Sequence, residues 1–251
     1  MSRFSQTNED LSQPGPGPGE ALRSAPNPGP DLWRFKTYGR KQGHLTGSER
    51  GRLEEILPGQ CLEAASGREI FLQQWGAEPV AEHLWVEIGF GNGDYLAHLA
   101  GRHPRDALIG IEVFLEGIAS LLRKLAANGQ RNVRVVRGHA HPILRDLLPD
   151  ASIDRVIINF PDPWPKKRHH KRRLIQTEFL DLLALKMRPQ GRLTLATDWQ
   201  EYAEWMAATI SVHPAFVGGP SAPPEEWIVT RFQEKGHLAG RPTFYFSYVR
   251  N

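Results

Sequence analysis

Short apolar runs alternate along this chain with stretches that place an apolar side chain every three or four residues. The first run closes at Val86-Glu87-Ile88, and a helix is predicted over 93–100, with Leu96, Leu99 and Ala100 on one face. A second run, 107–112, ends at Glu112, and Ile118, Leu121, Leu122 and Leu125 at helical spacing lead to the stop signal Asn128-Gly129. Residues 132–138 read as a third strand, 143–148 as a short helix and 153–159 as a fourth strand. A helix over 174–187, ended by Pro189 and Gly191, precedes a fifth strand over 193–197 and a helix carrying Tyr202, Trp205 and Met206. Two aromatic-rich runs, 227–232 and 243–249, read as an antiparallel pair at a sheet edge. No internal repeat interrupts the series. It predicts an α/β fold with a doubly wound, mostly parallel sheet, whose ligand lies at the carboxyl ends of the central strands.

The first of those ends carries the most specific chemistry. Glu87 is followed by Gly89, Gly91 and Gly93, and the next strand closes on Glu112. A dinucleotide site spaces its glycines G-x-G-x-x-G to admit a pyrophosphate. Here the spacing is G-x-G-x-G with an acid just before it, which would repel a pyrophosphate and suits a cation. S-adenosylmethionine carries a sulfonium and an ammonium and no phosphate, so Glu87 is expected to pair with its amino acid end and Glu112 to accept its ribose hydroxyls. The same spacing argues against a nicotinamide oxidoreductase.

Residues 1–30 are rich in Pro and Gly, including Pro14-Gly15-Pro16-Gly17-Pro18-Gly19, and are expected to be a disordered tail. No signal peptide and no apolar run near the ~18 residues of a membrane span is present, which predicts a soluble, cytoplasmic chain without membrane contact. The single cysteine, Cys61, leaves no internal disulfide and no cysteine-built metal site, so no metal is expected. The remaining ~220 residues can bury about 70% of their surface. They divide into a basic segment, 31–80, packed on or flanking a catalytic domain, 81–251. Net charge is only +3, but Arg34, Lys36, Arg40, Lys41, Arg50 and Arg52 stand against Glu49 alone, and the run 166–173 holds six further fixed positive charges. Two such clusters on a nearly neutral chain predict a nucleic acid partner.

After the fourth strand stands Asn159-Phe160-Pro161-Asp162-Pro163-Trp164-Pro165, in which prolines on both sides restrict the backbone around Asp162. After the fifth, Thr197-Asp198-Trp199 places another acid at the same crevice, where Asp198 can contact substrate or cap the following helix. Phe160 and Trp164 are candidates either for stacking an exposed base or for packing in the core.

The order EIGFGNG, GIE, NFPDPWPKKRHHKRR, ATDW and VTRFQEKGH resembles the bacterial tRNA (guanine-N7-)-methyltransferase family, over roughly 33–250. Tyr38 to Thr46 is similar to the arginine-rich segment that family carries ahead of its first strand. The resemblance implies a class I, Rossmann-like fold and methyl transfer from S-adenosylmethionine to guanine 46 in the tRNA variable loop. It places Glu87, Glu112 and the Gly138-His139-Ala140 turn on cofactor positions. Asp162 falls on the proposed catalytic and cofactor-contacting acid. Lys166, Asp198 and the segment Thr230-Arg231-Phe232-Gln233 fall on substrate-binding positions. His139 stands where many members have an acid or amide, and Gln233 where the segment usually ends in Glu. Two other functions fit parts of the pattern. A methyltransferase acting on an exocyclic amine would also place a proline-aromatic motif after the fourth strand. A non-catalytic RNA-binding module would use the basic clusters but has no need of Glu87, the glycine turn and Glu112. Oligomeric state is not fixed by the sequence.

Overall fold

The computed structural model describes residues 62–76 and 80–251, together with Gly47 and Gly51. The 1–30 tail, Cys61 and nearly all of the basic 34–52 segment lie outside the described residues. In chain order the elements are α1 (Arg68–Gln73), β1 (Leu84–Ile88), α2 (Asp94–Arg102), β2 (Ala107–Glu112), α3 (Leu115–Ala127), β3 (Val133–Arg137) and α4 (Ala140–Leu147). There follow β4 (Ile153–Asn159), a 3₁₀ helix (Lys167–Arg172), α5 (Thr177–Lys186), β5 (Met187–Thr197), α6 (Gln200–Ser211), β6 (Phe216–Ser221), α7 (Arg231–Leu238) and β7 (Phe244–Arg250). Seven strands form one sheet in the order β3-β2-β1-β4-β5-β7-β6, parallel through β5 and antiparallel where β7 pairs with β5 and β6.

Period-two burial explains why the central strands are apolar throughout. Leu84, Val86 and Ile88 of β1 join Val156 and Ile158 of β4 and Leu193 and Leu195 of β5 in a core capped by α1, α4, α5 and α6. Trp85, Leu108, Val133, Val135 and Ile157 point the other way, against α2 and α3. A strand covered on both faces cannot alternate with polar residues. Among the described residues no helix is long and apolar enough to cross a membrane.

Two expectations about the last third of the chain are corrected. The edge strand beside β7 is Phe216–Ser221, paired Phe216 to Arg250 and Val217 to Val249, and not the 227–232 run. Its Gly-Gly-Pro content and mostly exposed side chains hide it from a propensity reading. The 227–232 run is an irregular segment entering α7, whose first turn is capped by Thr230 Oγ1 accepting from the Gln233 amide at 3.3 Å. The predicted 174–187 helix ends one residue early, because Met187 already pairs with Ile153, and Arg155 next pairs with Arg192. Residues 188–191 bulge out between these pairs, with Gln190 at φ 68°.

The switch in strand order between β1 and β4 opens a crevice at their carboxyl ends. α3 closes on its floor so tightly that a Cβ at Gly117 would lie 2.2 Å from the Gly91 carbonyl oxygen. Gly117→Ala is therefore expected to cost about 1–3 kcal/mol by overpacking, despite the better helix propensity of Ala. Calorimetric melting checks this, with a fall of roughly 2–4 °C per kcal/mol for a domain of this size; a raised midpoint would show that α3 can move away freely.

Candidate active site

The glycine turn after β1 is built from three left-handed residues, Gly89 (φ 71°), Gly91 (φ 56°) and Gly93 (φ 74°). Such angles are costly for any residue with a Cβ. At Gly93 space forbids one as well, since it would meet Leu121 Cβ at 2.6 Å. The turn is tied to β2 by the Gly89 amide, which donates to the Ile111 carbonyl at 2.8 Å. It is tied again by the Gly91 amide, which donates to Glu112 Oε2 at 2.9 Å. Glu112 Oε1 accepts from the amides of Val113 (2.7 Å) and Phe114 (3.0 Å). Burial raises the Glu112 carboxyl above its ordinary range while these three N–H groups pull it back.

Glu87 is less well served. It is 2% exposed, and its Oε2 has no hydrogen-bond partner. The Asn159 amide reaches Oε1 only at 3.5 Å, too long for a strong bond. Burial, reinforced by the negative fields of Glu112 and Asp94, pushes its carboxyl from an ordinary 4.5 up to about 8, with Asn159 the one opposing influence. An unpartnered buried carboxylate oxygen at the rim of a cleft is a place for a cation.

At the end of β4 the chain takes two left-handed turns at residues other than glycine, Phe160 (φ 50°) and Trp164 (φ 45°), on either side of Pro161-Asp162-Pro163. Each such residue costs of the order of 1–3 kcal/mol and persists only where the surroundings hold it. The Phe160 amide donates to the Ala196 carbonyl at 2.7 Å, and Arg173 Nε donates to the Pro163 carbonyl at 2.9 Å. Asp162 is exposed to solvent at the cleft mouth, and partial desolvation there raises its carboxyl. Beside it Phe160 lies 5.2 Å from the half-exposed Phe232 and 6.2 Å from Trp227, centroid to centroid. Trp227 in turn packs on Tyr95 at 5.1 Å and Tyr245 at 5.0 Å.

These elements enclose a cleft of about 930 Å³. Residues 81–245 match a family model described as "Putative methyltransferase". A curated tRNA (guanine-N(7)-)-methyltransferase of Magnetococcus marinus is 51% identical over 223 residues, which is 86% of this chain and 88% of that relative. The chain belongs to the tRNA (guanine-N(7)-)-methyltransferase family. A Caulobacter vibrioides member of the same name is 45% identical over 207 residues, covering 80% of this chain and 89% of its own length. The solved 16S rRNA methyltransferase KamB shares the fold at a TM-score of 0.54 and 13% identity, covering 76% of this chain and 100% of that one.

Of the residues that the family motifs single out, Glu87, Gly89, Gly91, Glu112, His139, Asp162, Thr230, Arg231 and Phe232 line the one cleft. Gly93 stands just behind it as the N-cap of α2, and Ala140 begins α4. Lys166 is exposed at the start of the 3₁₀ helix. Asp198 caps nothing: Trp199 is the N-cap of α6, and Asp198 Oδ2 instead accepts from Arg241 Nε at 2.7 Å. Gln233 is buried behind the cleft wall. Its Oε1 accepts from Trp227 Nε1 at 2.9 Å, and its Nε2 donates to Tyr245 Oη at 2.7 Å and Thr243 Oγ1 at 3.3 Å. The donor-only indole fixes which way that amide points. Sequence reasoning missed Tyr95 and Phe114 in the lining. Tyr95 was within reach, since it sits in the first helical turn after the glycines.

The Glu87 carboxyl has a sign that can be tested. Its folded value lies above its unfolded one, so the stability it confers is complete below about pH 4.5 and is lost as pH rises through about 8. Glu87→Gln is expected to be increasingly more stable than the parent as pH rises across this window. The gap should reach on the order of 5 kcal/mol above it, at roughly 1.4 kcal/mol per pH unit. Urea unfolding at several pH values measures it, and a gap independent of pH would show that Glu87 is ionised throughout.

Proposed function

We propose that this protein transfers a methyl group from S-adenosylmethionine to N7 of guanine 46 in the variable loop of tRNA, working in the cytoplasm. One observation carries the proposal: three acids from different strand ends, Glu87, Glu112 and Asp162, open on one cleft beside a glycine turn with room for a nucleoside. The residues fit the cofactor. The unpartnered Glu87 Oε2 suits its ammonium. The Glu112 carboxylate, with three of its roughly four lone-pair sites taken by backbone amides, retains one for a ribose hydroxyl. His139 beside Ala140 offers a ring nitrogen to the adenine edge. When bound, the cofactor supplies an electrophilic methyl on a sulfonium.

The protein's own contribution is placement and charge. Guanine N7 has a free lone pair in the ring plane, so no proton must leave before it attacks. Asp162, in the cleft lining, therefore acts by orienting the base and stabilising the positive charge that develops on it. Phe160, Phe232 and Trp164 offer ring faces to a base drawn out of the tRNA core. Thr230 and Arg231 meet the base or its phosphate at the mouth. Lys166, Lys167, Arg168 and Lys171, all exposed, take the phosphates of the tRNA, together with the basic residues between 34 and 52. The catalytic unit is then 81–251, and 31–80 serves tRNA binding.

Incubation with tRNA and labelled cofactor, followed by nucleoside analysis, tests this. Label in 7-methylguanosine, abolished in a transcript carrying adenosine at position 46, is expected; label on an exocyclic amine would overturn it. For the chemical step, Asp162→Asn keeps the shape and removes the charge. It should lower the single-turnover rate on the order of 100-fold with both ligands saturating, and a rate within about threefold of the parent would remove Asp162 from the mechanism.

A further inference from the structure

Arg173 ends the basic run but does not share its exposure. Its side chain is 1% exposed. The guanidinium carbon lies 5.0 Å from the Tyr202 ring centroid and 5.1 Å from that of Trp205. Nη2 donates to Glu201 Oε1 at 3.1 Å and lies 3.1 Å from His170 Nε2, while Nε donates to the Pro163 carbonyl. At that burial the guanidinium is out of reach of a phosphate. The two aromatic walls are themselves anchored beyond the run: Tyr202 Oη accepts from the Ile175 amide at 3.3 Å and Trp205 Nε1 donates to the Ile175 carbonyl at 2.8 Å.

We propose that Arg173 is a positioning residue for Asp162, holding the Pro161-Asp162-Pro163 frame by the Pro163 carbonyl, and takes no part in phosphate binding. The frame has few handles. Pro161 and Pro163 have no N–H, so apart from the Asp162 amide only carbonyls can be gripped. The gripped carbonyl belongs to the residue between Asp162 and the left-handed Trp164, where a change of backbone angle would swing the carboxylate directly. A planar guanidinium can serve Pro163 through Nε and Glu201 through Nη2 at once, which a lysine ammonium in the same cage cannot do. A shift of about 1 Å in a reacting group can cost on the order of 100-fold in rate.

The proposal rests on the role given to Asp162 above, and the test separates the two. Arg173→Met should lower the single-turnover rate on the order of 30-fold with both ligands saturating, leaving tRNA affinity and its salt dependence as in the parent. Lys167→Ala, by contrast, should reduce the log-log salt slope by roughly 0.7–0.9. Arg173→Lys keeps the charge and should recover only part of the rate. In an Asp162→Asn background, either Arg173 substitution should cost little more. A parent-like rate, a salt slope lowered as by Lys167→Ala, or an undiminished penalty in the Asp162→Asn background would each overturn the proposal. Should Arg173→Met fail to fold, Arg173→Lys faces the same three criteria. A parent that makes no 7-methylguanosine refutes the function, whereas an active parent indifferent to Arg173 refutes this inference alone.

Discussion

A carboxylate at the end of the central strand, buried and short of partners, is the constraint around which this cleft is organised. Water would solvate Glu87 far better than Asn159 does at 3.5 Å. The sheet nevertheless holds it in place, because Val86 and Ile88 on either side are locked into the opposite core. A strand cannot rotate one residue outward without turning its neighbours. The cost of burying this acid, which keeps its proton up to about pH 8, is thus borne by apolar packing elsewhere, and the site is left electrostatically unfinished. The turn beside it shows the opposite economy. Glu112 is satisfied by three amides, so one acid of the pair is rigidly placed before any ligand arrives while the other awaits one.

The second organising feature is the strained passage after β4. Left-handed angles at Phe160 and Trp164 are not what their side chains prefer, and the bonds to Ala196 and from Arg173 are what hold them. Both ties run away from the glycine turn, one to β5 on the other side of β4 and one to the guanidinium in the Tyr202–Trp205 cage. The two walls of the cleft are therefore fixed by different parts of the fold.

The sequence made the parallel core legible because both-sided burial writes itself as unbroken apolar runs: β2 and β4 match the expected ranges, and β1 ends where expected. It made the cleft legible wherever a motif combined an acid with glycine or proline, as at Glu87, Glu112 and Asp162. What escaped was decided by tertiary contacts. β6 is a strand because β7 offers it partners, not because Gly-Gly-Pro favours extension. The 227–232 aromatics looked like a strand and are instead spent on Tyr95, Phe160 and Tyr245, although the spacing of Thr230 and Gln233 carried a helix-capping signature that argued for α7. Charge was misleading at Arg173, since a run of basic residues does not reveal which member turns inward.

The position of β7 has a consequence for how the chain is made. It pairs on one side with β5 and on the other with β6, both of which precede it in sequence. Until Phe244–Arg250 leaves the ribosome, β5 presents an open row of amides and carbonyls, and β6 has no neighbour to keep it extended. During synthesis the parallel half of the sheet can assemble early. Its exposed margin must wait for the last strand, which makes that interval the time of greatest danger from edge-to-edge association with other nascent chains.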